Sequence, residues 1–228
     1  MHDAAHVYSF DIETDTSVQA DGRQYGLEPL NAGITEISLA WDPSVLPGGG
    51  AVFATGYGLN EADIIMEFDK MLYGLPPGLL VGWNSSFFDL PFILTRAEAL
   101  GIGHRLHLHA QPGLVPKYDP TPPHTCGYSA VWGTSTPIPH QHLDIQWHYE
   151  AAAKLLGIKW GLKPVAVAYG LDMVEVDREN MHLLTADKRR AYALSDAVGT
   201  RNLGLHMLGL PVPEISDPIL ALAASPSR

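Results

Sequence analysis

Three short segments place acids where ordinary packing has little use for them. In VYSFDIETD, residues 7 to 15, Asp11 and Glu13 stand two apart at the end of an apolar run. Alternate residues of a strand share a face. Tyr8, Phe10 and Ile12 are therefore predicted to enter a core, while Val7, Ser9, Asp11 and Glu13 point the other way. In GWNSSFFDLPFI, residues 82 to 93, Asp89 opens a helix just beyond a strand. In YALSD, Tyr192 and Asp196 are four apart on a helix and so are neighbours on one face.

If these acids converge, two unit charges about 4 Å apart repel by roughly 4 kcal/mol at an effective dielectric of 20. Several such pairs would consume much of a domain's stability of about 5–15 kcal/mol. Hard divalent cations answer this, since all-oxygen carboxylate sites suit Mg²⁺ or Mn²⁺. Two such ions about 3.5–4 Å apart activate a water and stabilise a leaving oxygen in phosphodiester cleavage. Taken singly, each acid also has a plain role. Asp11 and Glu13 read as strand-end acids, Asp89 as a helix N-cap and Asp196 as a surface partner of Lys188 or Arg201.

Positioning these groups requires strands at about 7–12, 33–41, 50–57 and 79–84 and helices from Asn60 and from Asp89. The second of these helices ends at Gly101. A possible strand at 142–149 passes into helix ending near Gly157, another helix covers about 162–170, and a last one runs about 186–208, capped by Thr185. Strands cluster early and alternate with helices later, which predicts an α/β fold: a mixed central sheet with helices on both faces. Prolines at 112, 116, 120, 122, 123, 137 and 139 mark an irregular insertion at about 104–140. Residues 1–210 read as one domain, and 211–228 as a loose Pro/Ser/Ala-rich tail.

FDIET, NSSFFDLPF and YALSD, in that order, resemble the three motifs of the DEDD superfamily of 3'-5' exonucleases, which have a ribonuclease H-like fold. The first two look most like the proofreading exonuclease domain of family B DNA polymerases and stand-alone predicted exonucleases related to it. The resemblance covers most of residues 7 to 208. The histidine subclass would place its histidine at Ala191; the tyrosine subclass (DEDDy) places a tyrosine four before the last Asp, at Tyr192. The resemblance implies that Asp11 bridges two divalent ions, Mg²⁺ or Mn²⁺. Glu13 and Asp196 would hold the ion carrying the attacking water, Asp89 would support the second, and Tyr192 would orient the water. Asn84 and Phe88 match the middle motif and are expected to contact or shape the pocket of the 3'-terminal nucleotide, although Phe88 equally fits a core. Asp144 in HLDIQW is similar to a strand-end acid of those domains and is expected to be structural. In WGLKPVAVAYGL, similar to the short helix before the last motif, Leu162, Val165 and Tyr169 are expected in the core.

The formal charge of -11 disfavours a broad basic groove for nucleic acid. The expected mode is weak, distributive action on single-stranded 3' ends, or recruitment by a partner protein. Lys188 falls on one helical stripe with Tyr192 and Asp196 and is a candidate phosphate contact. Of the eleven histidines, six lie in or beside the insertion near Cys126, but their spacings match no familiar zinc pattern. No apolar run is long enough to span a membrane, no signal-peptide pattern opens the chain and the single cysteine forms no internal disulfide, which together suggest a cytoplasmic protein. The expectation is a metal-dependent exonuclease on single-stranded DNA releasing nucleoside 5'-monophosphates. Its rivals are a 3'-5' exoribonuclease, a non-catalytic nucleic-acid-binding module and a phosphohydrolase of free nucleotides.

Overall fold

The structure, a computed structural model, describes residues 3–20, 23–24, 26–110, 132–134 and 140–213. Most of the insertion predicted at 104–140, with His124 and Cys126, and most of the tail predicted at 211–228 lie outside the described residues. In chain order the elements are β1 (Val7–Thr14), a short hairpin of β2 (Gln19–Ala20) and β3 (Arg23–Gln24), β4 (Ile34–Ala40), β5 (Gly50–Ala54), α1 (Glu61–Gly74), β6 (Leu79–Gly82), α2 (Asp89–Ala99), β7 (Leu108–Ala110), β8 (Trp132–Thr134), β9 (Gln141–Asp144), α3 (Glu150–Leu156), α4 (Leu162–Ala168) and α5 (Ala186–Met207).

The main sheet runs β5-β4-β1-β6-β9-β8-β7. β1 pairs antiparallel with β4 and parallel with β6, and β6 pairs parallel with β9. The sheet is therefore mixed, and β1, an interior strand, carries the first acidic motif.

The alternation in β1 sorts its side chains between two cores. Tyr8, Phe10 and Ile12 pack with Ile37 and Leu39 of β4, Ile64, Phe68 and Leu72 of α1, and Leu90 and Phe92 of α2. Val7, on the opposite face, joins Val81, Ile145, Tyr149, Val165, Leu203 and Leu205. Both faces are thus covered by helices, as the sequence predicts. α1 starts on a capping box: the Asn60 side chain accepts from Asp63 N–H, and the Asp63 carboxylate accepts from Asn60 N–H. Just past α2, Gly101 takes a φ of 71°, a left-handed conformation that a glycine adopts without steric penalty.

α5 is buried along most of its length, from Ala191 to Leu205. Small residues permit this. A Cβ on Gly204 would come within 2.9 Å of Val81 Cγ2, so the helix sits close against the sheet. Two serine hydroxyls tie it down: Ser9 donates to Ala197 O at 2.5 Å and Ser38 donates to Ala193 O at 2.8 Å. α5 therefore lies over β1 and β4, on the face where Asp11 and Glu13 emerge.

Candidate active site

β6 pairs with β1 only as far as the Ser9–Val81 register. Beyond it the Ile12 N–H is taken by the Asp89 carboxylate, whose Oδ1 accepts at 3.2 Å. One side chain thereby pins the start of α2 to the end of β1. On the face under α5, Asp11, Glu13 and Asp196 each offer an oxygen within 4.8 Å of the others. Asp11, Glu13, Asp89, Tyr192 and Asp196 all line one cleft of about 650 Å³, together with Asn84 and Phe88. Lys188 is not among its lining residues and is exposed at the start of α5. The helical stripe that relates it to Tyr192 begins one turn before α5 enters the protein.

The turn between β6 and α2 is held from below by Asp144. Its Oδ1 accepts from Asn84 N–H at 3.0 Å and from Gln146 N–H at 3.2 Å, and its Oδ2 accepts from Ser86 N–H at 3.0 Å. This is the structural role expected of it. Asn84, so fixed, has a φ of 60°, a left-handed conformation that asparagine tolerates better than most residues. A strained residue held at a cleft is a common mark of a functional position. Phe88 is half-buried, packs against Phe92 at a ring separation of 5.5 Å and also lines the cleft.

Burial and mutual repulsion dominate the electrostatics. Asp11 is held well above the usual carboxylate range by desolvation, then by Glu13, Asp89 and Asp196, with Arg178 opposing. Glu13 is raised by desolvation, then by Asp196. Burial pushes Asp89 up to about 7. Asp196 is raised by burial but relieved by Lys163. Tyr192 is buried, and desolvation followed by the charge of Asp196 raises its phenol far above the ordinary value. It stays neutral and keeps its O–H for hydrogen bonding.

Two cations that sequence reasoning missed complete the site. Lys163 of α4 is buried; its Nζ lies 3.1 Å from Asp196 Oδ1 and 3.8 Å from the centroid of the Tyr192 ring, and it donates to Val174 O. A lone lysine in the otherwise apolar run LKPVAVA was its available signal. Arg178 lines the cleft, and its guanidinium carbon stands 6.0 Å from the Tyr192 ring centroid. It follows no periodic pattern, so nothing in the sequence pointed to it.

The donor set fits a hard divalent cation. All the candidate ligands are carboxylate oxygens, and three converge within 4.8 Å. One lysine and one arginine leave a net negative cluster, which a cation would neutralise.

Residues 3–110, just under half of the chain, match the family model described as DNA polymerase family B, exonuclease domain. Over 43 residues, 19% of this chain and 4% of the relative, the sequence is 35% identical to the DNA polymerase delta catalytic subunit of Candida albicans. The fold is similar to that of the family B DNA polymerase from the hyperthermophilic archaeon Pyrobaculum calidifontis, with a TM-score of 0.57 and 22% identity over 89% of this chain and 24% of that one. The chain thus spans a small part of each relative. The structural likeness establishes the ribonuclease H-like α/β fold, and the family match supports a 3'-5' exonuclease, a hydrolase. Among the described residues no helix is long and apolar enough to cross a membrane.

Proposed function

We propose that the chain is a metal-dependent 3'-5' exonuclease of the tyrosine subclass, removing nucleoside 5'-monophosphates from single-stranded DNA ends. The observation that carries this reading is the convergence of Asp11, Glu13 and Asp196 within 4.8 Å, in one cleft with Asp89 and Tyr192. Asp11, Glu13 and Asp196 would hold one divalent ion, Mg²⁺ or Mn²⁺, with Asp11 and Asp89 serving a second. When bound, such a pair supplies an activated water and charge stabilisation at the departing oxygen of a phosphodiester.

The chain's own groups do the rest. Tyr192, kept neutral by burial and by Asp196, hydrogen-bonds and orients the attacking water and does not act as its base. Lys163 holds Asp196 from behind at 3.1 Å, which fixes the carboxylate's direction toward the cleft. Arg178 is the cation among the lining residues and is placed to meet a phosphate oxygen. Asn84 and Phe88 shape the seat of the terminal nucleotide. With so little positive charge, the protein acts distributively on short single strands or is brought to them by a partner, and works in the cytoplasm.

The test uses single-stranded DNA and RNA, each labelled at the 5' end, with Mg²⁺, Mn²⁺ or EDTA. A ladder shortening one nucleotide at a time, faster on DNA and abolished by EDTA, is expected. A faster RNA ladder overturns the choice of sugar, and shortening that persists in EDTA overturns the metal requirement. Internal cuts overturn the exonuclease reading, as does turnover of mononucleotide esters with no preference for oligomers.

A further inference from the structure

We infer that Trp83 and Trp160 form a stacking subsite for an unpaired nucleobase in the wall of this cleft. The inference rests on reading the cleft as a nucleic-acid site and states how the strand is gripped there.

The lining divides by chemistry. It holds the four acids and one cation, Arg178, but also Trp83 and Trp160. The whole chain carries a formal charge of -11, so phosphate neutralisation by lysines and arginines, the usual source of affinity for nucleic acid, is scarce here. Stacking on aromatic rings is the other source. It needs no charge and is available only to bases whose faces are free.

Both indoles are fixed before any ligand arrives. Trp83 follows directly on β6 and lies on Tyr149 with ring centroids 6.0 Å apart and planes inclined by 27°. Tyr149 is itself buried and anchored, its hydroxyl donating to Leu203 O at 2.6 Å. Trp160, between α3 and α4, meets Trp147 edge-on at 5.0 Å. Its Nε1–H donates to Gln146 O at 3.0 Å, so its polar atom is engaged with the protein. What each half-buried ring offers the cleft is apolar surface on a rigid mount. Little rotamer freedom remains to be lost on binding, which favours affinity. A base in a duplex has both faces covered by its neighbours, so the ligand this wall selects is a single strand.

The test follows binding without turnover, in EDTA and again with Ca²⁺. Probes are a 12-nucleotide deoxythymidine oligomer labelled at its 5' end and a blunt 12-base-pair duplex. The single strand is expected to quench tryptophan emission saturably, and the duplex is not. Trp83→Ala and Trp160→Ala are each expected to weaken oligomer binding about tenfold, and Trp83→Phe and Trp160→Phe, which keep a ring, by less than about threefold. The double Phe variant, which preserves packing volume even if an alanine variant misfolds, is expected to bind but to lose most of the quench. Unchanged quenching in that variant, alanine variants that bind within about twofold of wild type, or no binding by wild type in either condition overturns the subsite. Oligomer shortening in Mg²⁺ alongside indifferent alanine variants overturns the subsite and spares the exonuclease. Tryptophan-dependent binding with no shortening overturns the exonuclease and spares the subsite.

Discussion

Acids are buried in two different ways in this molecule. Between α1 and α2, Glu61 receives Arg96 on both oxygens, at 2.7 Å each, and the Ile34 N–H at 2.8 Å. Glu36 is answered by Arg189 at 2.7 Å, and Asp144 by three backbone N–H groups. In the cleft, by contrast, the largest charge effects on Asp11 come from Glu13, Asp89 and Asp196, and all of them oppose ionisation. A buried acid with its partner is architecture; a buried group of acids facing one another is a cost of the kind that marks candidate functional sites.

Neutralising one member of each set sharpens this contrast. Asp11→Asn is expected to lower metal-dependent exonuclease activity by on the order of 10³-fold, while raising the melting temperature measured in EDTA because a repulsion is removed. Steady-state rates and thermal melts check the two halves, and a metal-free protein destabilised by the change would break the comparison. Arg96→Met should do the reverse. It strands Glu61 and costs about 3 kcal/mol of stability, read from urea midpoints, with the rate per folded molecule little changed.

Lys163→Met tests a place where the two styles meet, since Lys163, like Arg178, is a balancing cation inside the unbalanced site. Activity is expected to fall about tenfold to thirtyfold as Asp196 and Tyr192 lose their rear support, and added Mg²⁺ should raise the melting temperature more than in the wild type.

The pH dependence of the metal-free protein separates the contributions. Asp89 keeps its proton up to about pH 7 when folded but only to about 3.9 when unfolded. The folded state therefore holds the extra proton, and stability falls as pH rises through that window. Buried His142, pushed down to about 3, works the other way, losing stability as pH falls below about 6.5. Above about pH 6.5 the histidine's contribution is fully present and no longer changes with pH. A melting temperature in EDTA that declines as pH rises from about 6.5 and levels off just above pH 7, less steeply in Asp89→Asn and not at all with saturating Mg²⁺, is the expected result. The smallest effect is expected from Lys188→Ala, whose side chain stands outside the cleft: less than about twofold in rate at moderate salt.

That last residue also marks where sequence reasoning stops. Strand alternation placed Tyr8, Phe10 and Ile12 in the core, the Asn60 cap and the Gly101 stop bounded their helices, and the motif acids led to one cleft, because each of these is a local or short-range pattern. Lys188 shares a stripe with Tyr192, yet spacing along a helix carries no information on where that helix passes under the surface. Lys163 and Arg178 reach the site from segments whose own periodicity is apolar or absent, so tertiary packing alone brings them to Asp196 and Tyr192. The clamp of Asp144 on Asn84 likewise depends on β6 and β9 being neighbours, which no local pattern states.

The docking of α5 has a consequence for how the protein comes into being. Ser9 and Ala197 touch across a separation of 188 residues, and Asp196 adjoins that contact. During synthesis a nascent chain can lay down β1, with Asp11 and Glu13, long before the ribosome releases the helix that closes the cage. A partly made copy that lacks α5 lacks Tyr192 and Asp196, so on the proposed reading the order of translation leaves its site incomplete until that helix is made.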